Sequence, residues 1–341
     1  MGESSILRAR RDKLCAVADQ SLLIPMVEAT YPAGREYGGV FHQAKRCPCC
    51  AYVRFDEPTP EDLDRFYNDE YPKSSASWYN VETDYAPWKA EARSSRVVEI
   101  MSAFGFGQGA TVHEFGCAFG GTVQALKDKG YLASGTELNR TAVQQGRARG
   151  NLDVHSESAL DYLARQSKKA QVIYSYHALE HFTDPFAFLR DLREQMDPNG
   201  IVISFLPNSA ALFPLVYGHC RYMWFGYPEH VHLFSPGAAD SLASVTGFEL
   251  LDLFTNEFGI EPEATSRALQ QETEGAQFLR QGPRDRYGEE LVIVMTPAGG
   301  GLLEKFQQRH LMAREYSKEQ AVREKFAMEC LSTVTANPWP S

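Results

Sequence analysis

At 341 residues, with 43% hydrophobic and 23% charged residues, the chain has ordinary globular composition and exceeds one average domain, so one main domain with additions is expected. A formal net charge of −10 and the lack of any basic run exclude a nucleic-acid backbone as the main partner, because phosphate binding needs clustered Lys and Arg. No window reaches about 18 uninterrupted apolar residues, and the N-terminus has no apolar stretch ahead of a small-residue cleavage site, so no membrane partner is expected and the chain reads as soluble and cytoplasmic.

Residues 1–90 read as an N-terminal extension. Within it, "KRCPCC" holds Cys47-x-x-Cys50, but a tetrahedral zinc needs four ligands, and no second C-x-x-C precedes it. Cys15, His42 and Cys49 stand at unsuitable spacing, so free thiols and no bound metal are expected. Residues 91–300 form the main domain. Its β-like runs near 110–115, 132–137, 152–155, 170–176 and 200–206 alternate with helical patterns at 122–129 and 141–149 and with a helix capped by Asp184. "DPNG", residues 197–200, is expected to end that last helix in a turn. Residues 208–229 form an aromatic-rich insert without clear period. A helix near 236–246, strands near 248–254 and at "ELVIVMT", and a helical tail over 301–341 complete the order. The pattern implies an α/β, doubly wound, mostly parallel sheet of seven strands.

The stretch "VHEFGCAFGG", residues 112–121, reads as a strand entering a glycine-rich turn. A dinucleotide fingerprint requires G-x-G-x-x-G, and here Gly116-Cys117-Ala118-Phe119-Gly120-Gly121 puts neither the second nor the third glycine in register. The other arrangement, an acid followed by G-x-G-x-G, fits Glu114, Gly116, Ala118 and Gly120 with Ala118 in the middle glycine's place. Ala118 suits that place if its φ stays negative. Glu137 ends the second strand, where a carboxylate can accept both hydroxyls of a ribose.

This turn resembles motif I of class I S-adenosylmethionine-dependent methyltransferases. "VIYSYHALEHFTDPFAFLRDLREQMDPNGIVISFLPN" is similar to that family's fourth strand, loop, helix, turn and fifth strand in unbroken order. The resemblance implies a Rossmann-like methyltransferase fold with S-adenosylmethionine as cofactor. Glu114, Gly116, Cys117, Ala118, Gly120, Glu137, Leu138 and His177 would contact it, with Glu157 near the adenine unless that segment serves only as a helix cap. "KRCPCC" is similar to one knuckle of the zinc segment that some sugar and small-molecule methyltransferases carry, here degenerate.

In "HALEH", His177 and His181 flank Glu180 with the acid out of place for a zinc helix, so either a wall of the cleft or packing against the sheet accounts for them. "GYPEHVHLFS", residues 226–235, is similar to a Glu-His pair in sugar C-methyltransferases; Glu229 would orient His230 as general base, with His181 and His177 as further catalytic candidates. Tyr217, Tyr222, Trp224 and Tyr227 would line a substrate lid or serve a homodimer contact. The implied function is methyl transfer to a small molecule, at oxygen, nitrogen or carbon. The alternatives are a non-catalytic cofactor-binding module and an NAD-dependent oxidoreductase.

Overall fold

The computed structural model describes residues 16–17, 19–26, 34–71, 79–150, 152–211, 214, 218–219, 222, 224–256 and 288–318. Seven strands form the main sheet: β1 (Thr111–Phe115), β2 (Leu132–Thr136), β3 (Val154–His155), β4 (Ala170–Tyr176), β5 (Met196–Pro207), β6 (Phe248–Asn256) and β7 (Glu290–Pro297). Their spatial order is β3-β2-β1-β4-β5-β7-β6, and β7 alone runs antiparallel to its neighbours. Order reverses between β1 and β4, and in open α/β sheets such a switch point opens a crevice beyond the carboxyl ends of the strands.

Helices cover both faces because the parallel strands are apolar on both sides. On one face α1 (Pro87–Ala103), α2 (Gly121–Asp128) and α3 (Arg140–Arg149) pack Val97, Met101, Val123, Leu126 and Val143 onto Val112 and Val172. On the other, α4 (Ala159–Ala164), α5 (Pro185–Gln195) and α6 (Ala239–Thr246) pack Leu163, Leu189 and Leu242 onto Phe115 and Ile173. Asp184 caps α5 by accepting from the Ala187 amide at 2.8 Å, with Pro185 at the first helical position.

"DPNG" departs from expectation. It lies inside β5 as an irregularity between Met196 and Ile201, with the Asn199 amide bonded to Asp197 Oδ1 at 2.8 Å. Met196 already pairs with Ala170 on β4, so the strand begins ahead of the turn residues and bulges over them.

The N-terminal extension does not stand apart. Its strands Ile24–Pro25, Lys45–Arg46 and Val53–Arg54 form one antiparallel sheet with His232–Leu233, which follows the insert. Met26, Phe55, Tyr222, Phe225 and Tyr227 make a third core between extension and insert. Among the described residues, no helix is long and apolar enough to cross a membrane. The expected C-terminal helical pattern is present over 302–318; residues 319–331 lie outside the described residues.

Candidate active site

The glycine turn joins β1 to α2. Gly116 has φ +70, and a Cβ there would lie 2.7 Å from the Ala178 Cβ, so the turn closes against the loop after β4 only because the side chain is absent. Ala118 also adopts a left-handed φ, +48. Its middle-glycine position therefore keeps the conformation a glycine would take, at the cost of Cβ strain. The Ala118 amide donates to Glu137 Oε2 at 3.1 Å and the Asn139 amide to Oε1 at 2.9 Å, which fixes the carboxylate at the end of β2. Burial raises the Glu137 pKa, and these backbone bonds oppose that rise.

Beneath the turn, Glu114 is buried and accepts from Tyr174 Oη at 2.8 Å. Burial pushes its pKa up to about 8 despite that bond. The Cys117 side chain tucks under β2, where it blocks any Cβ at Gly135.

The first turn of α2 has an unexpected partner. The Gly121 amide donates to Asp84 Oδ2 at 2.9 Å, and Asp84 is itself buried and paired with Lys89 at 3.1 Å. A Cβ at Gly121 would lie 2.1 Å from the Asp84 carbonyl oxygen. In dinucleotide folds the pyrophosphate sits at this helix end. Here a buried carboxylate already takes the Gly121 amide that a pyrophosphate would use.

Across the crevice, the loop after β4 carries His177, Glu180 and His181. His177 has φ +49, stacks on Trp224 at 4.8 Å, and lies between Glu180 (Nδ1 to Oε1, 3.4 Å) and Glu290 (Nε2 to Oε1, 3.3 Å). Burial works against its charged form, but the two carboxylates outweigh it and raise its pKa to about 9. Arg96 pairs with Glu290 from α1. The Val231 amide donates to the Glu180 carbonyl at 3.1 Å, tying the end of the insert to this loop. His230 therefore stands beside His181, with ring centroids 4.7 Å apart. Its Nδ1 lies 2.6 Å from the Trp224 carbonyl; a carbonyl only accepts, so Nδ1 carries a proton, and in the neutral ring Nε2 holds the lone pair. His181 contacts Tyr67 Oη through Nδ1 at 3.3 Å, and burial lowers its pKa.

Residues 89–253 match a family described as a methyltransferase domain. With the switch-point crevice, the acid-ended β2 and the occupied helix end on the same chain, that match decides the identity. Residues 89–253 form a class I S-adenosylmethionine-dependent methyltransferase domain. A ubiquinone biosynthesis O-methyltransferase of Pasteurella multocida (strain Pm70) is 20% identical over 187 residues, which cover 50% of this chain and 77% of that protein. Among solved structures, magnesium protoporphyrin IX methyltransferase from Synechocystis PCC 6803 with bound SAH aligns at 14% identity and TM-score 0.44, over 69% of this chain and 97% of that one. The 1,6-didemethyltoxoflavin-N1-methyltransferase of Burkholderia thailandensis aligns at 14% identity and TM-score 0.44, over 78% of this chain and 99% of that one.

The methyltransferase's cofactor is S-adenosylmethionine, and the cradle suits it. Gly116 leaves room that a side chain would fill, and Glu137 presents a fixed carboxylate. Of the other residues expected at the cofactor, Gly120 has φ +82 as N-cap of α2, and Leu138 lies on the rim, 75% exposed. Glu157 is engaged with Arg165 in an ion pair that lowers its pKa.

The insert differs from a simple aromatic lid. Tyr222 is buried with its hydroxyl on the Glu289 carbonyl at 3.1 Å, Tyr227 stacks on His42 at 3.9 Å, and both share a core with Met26 and Phe55 of the N-terminal extension. That extension supplies the apolar surface the insert lacked in sequence. Trp224 remains at the crevice, and Tyr217 lies outside the described residues. The expected orienting partner of His230, Glu229, gives way to the Trp224 carbonyl; Glu229 is half-buried and adds negative charge near Tyr67 and Tyr71. Sequence reasoning missed Asp84, Tyr67, Tyr79 and Glu290. A capped helix start at "NVETDY" was the available signal for Asp84, but its partner is Gly121, 37 residues on.

Proposed function

We propose that the domain methylates a small-molecule acceptor that enters between the glycine turn and the loop after β4, and that the acceptor's nucleophilic atom carries a proton. The observation that carries this reading is His230, whose Nδ1 is committed to the Trp224 carbonyl so that Nε2 is the ring atom left for an acceptor's proton, beside His181 and Glu180. When bound, the cofactor supplies a methyl group on a positively charged sulfur, and such an electrophile needs little further activation. The protein's own contribution is position, exclusion of water and the acceptor's proton. Glu137 and the turn orient the nucleoside end. Phe119, Tyr79 and Tyr71, with ring centroids 5.1 and 5.2 Å apart in succession, wall the crevice on the side of the N-terminal extension. The histidine group takes the proton as the acceptor–methyl bond forms and the sulfur–methyl bond breaks, leaving a neutral thioether.

The test is turnover to S-adenosylhomocysteine with hydroxylated small molecules and with acceptors bearing an acidic carbon. Acceptor-dependent product supports the reading. Tight cofactor binding with no turnover on either class removes it in favour of a binding module.

A further inference from the structure

We propose that Glu180, His181 and His230 form a divalent-cation site, and that the acceptor is a hydroxyl compound whose oxygen occupies an open position on that cation. The second clause rests on the reading above, that the acceptor enters at this mouth; the first does not. Among the described residues, these three form the one grouping of His, Cys, Asp or Glu whose ligand atoms all lie within 4.8 Å of one another. Two imidazoles and a carboxylate are a ligand set that suits zinc, manganese, iron or cobalt. Ligands about 2.1 Å from a tetrahedral ion stand about 3.4 Å apart, so the side chains need only a small inward movement.

Each candidate ligand already has an outer partner. His230 donates through Nδ1 to the Trp224 carbonyl, His181 contacts Tyr67 through Nδ1, and Glu180 faces the His177 ring at 3.4 Å. Such outer contacts orient metal ligands and set the tautomer in known sites. For His230 they direct Nδ1 to the carbonyl, so that Nε2 is the atom a cation would take from the neutral ring.

Glu180 provides the independent observation. Its side chain is fully buried, yet among the described residues neither carboxylate oxygen receives a hydrogen bond; it meets ion-pair distances, 3.4 Å to His177 and 3.9 Å to His181 Nε2. His177 offsets part of its charge, but a buried carboxylate without hydrogen bonds is costly, and a bound cation would satisfy it. Half-buried Glu229 adds negative charge at the same mouth, and His181, with 22% of its side chain exposed, marks the open side. Three protein ligands leave at least one position free, as in catalytic rather than structural sites. With a cation bound, His230 Nε2 is a ligand. The proton-removing role of the group then passes to the cation, which acidifies the bound hydroxyl, and the proton leaves to solvent.

The test uses the full chain, stripped with chelator and titrated with Co2+ without cofactor or acceptor. We expect one Co2+ per chain with the visible absorption of a nitrogen and oxygen site, displaced by Zn2+. His181→Ala and His230→Ala should each weaken it on the order of 100-fold or more, and Glu180→Gln similarly, with S-adenosylhomocysteine affinity confirming that each variant is folded. Thiolate charge-transfer absorption, or weak binding that the three variants leave unchanged, overturns the site. If the site forms but hydroxyl acceptors turn over equally well after chelation, the cation's role with the acceptor is overturned alone. If the site forms and no acceptor is ever methylated, the methyl-transfer reading fails while the site stands.

Discussion

The backbone amide of Ala118 donates to Glu137 Oε2 at 3.1 Å, so the left-handed residue of the glycine turn is held by the acid that ends the next strand. The conformation of the turn and the position of that acid are thus coupled. Glu137→Ala should lose roughly 1.5–3 kcal/mol of S-adenosylhomocysteine affinity, the scale of bonds to a charged acceptor. Calorimetry checks this, and unchanged affinity would remove Glu137 from the site.

Ala118 carries a Cβ at φ +48, where an L-residue costs about 1–2 kcal/mol relative to glycine. Ala118→Gly should leave stability unchanged or raise it by up to about 1 kcal/mol, because relief of strain is partly offset by the freer unfolded chain. Ala118→Val, which tolerates positive φ worst, should lower both the thermal midpoint and cofactor affinity. A valine variant as stable and as tight-binding as the parent would show that the turn relaxes.

Glu114 makes stability depend on pH in a definite direction. Its folded pKa is about 8 against an ordinary 4.5, so between those values the folded state keeps a proton that the unfolded chain has lost. The stabilising contribution is fully present below 4.5 and is lost as pH rises through 8. Denaturant midpoints should therefore fall from pH 6 to pH 9, and Glu114→Gln should flatten that part of the profile. A parent and variant with parallel profiles would assign the alkaline loss to other groups.

His230→Ala should leave S-adenosylhomocysteine binding nearly intact while lowering turnover about 10²–10⁴-fold, the scale of a positioned acid–base group. Steady-state turnover with a competent acceptor, beside calorimetry on the same protein, makes the comparison. Near-normal turnover with a lowered melting temperature would make His230 a structural tie between the insert and the loop after β4.

Much of the sheet was legible because strand and helix periods are local properties. β1, β2 and β4 fall within a residue or so of their expected bounds, and the reversal of order between β1 and β4 follows from the alternation with helices. "DPNG" misled because its turn residues are strong local signals, whereas the pairing of Met196 with Ala170 is a cross-strand effect that carries the strand through them. Of the candidate site, Gly116 and Glu137 were legible as a glycine turn and a strand-end acid.

By itself the sequence determined the α/β alternation, the glycine turn and the acid that follows it, since each depends on neighbours within a few residues or on the period of one element. Only the tertiary structure decided what meets what. Asp84 caps α2 from 37 residues upstream, the N-terminal strands pair with His232–Leu233 about 180 residues on, and Glu180 comes to lie with His181 and His230. Such contacts depend on chain crossings that no local period encodes. The same physics placed Tyr222 and Tyr227 in a core: these aromatic residues of the insert were covered by the extension once the chain folded.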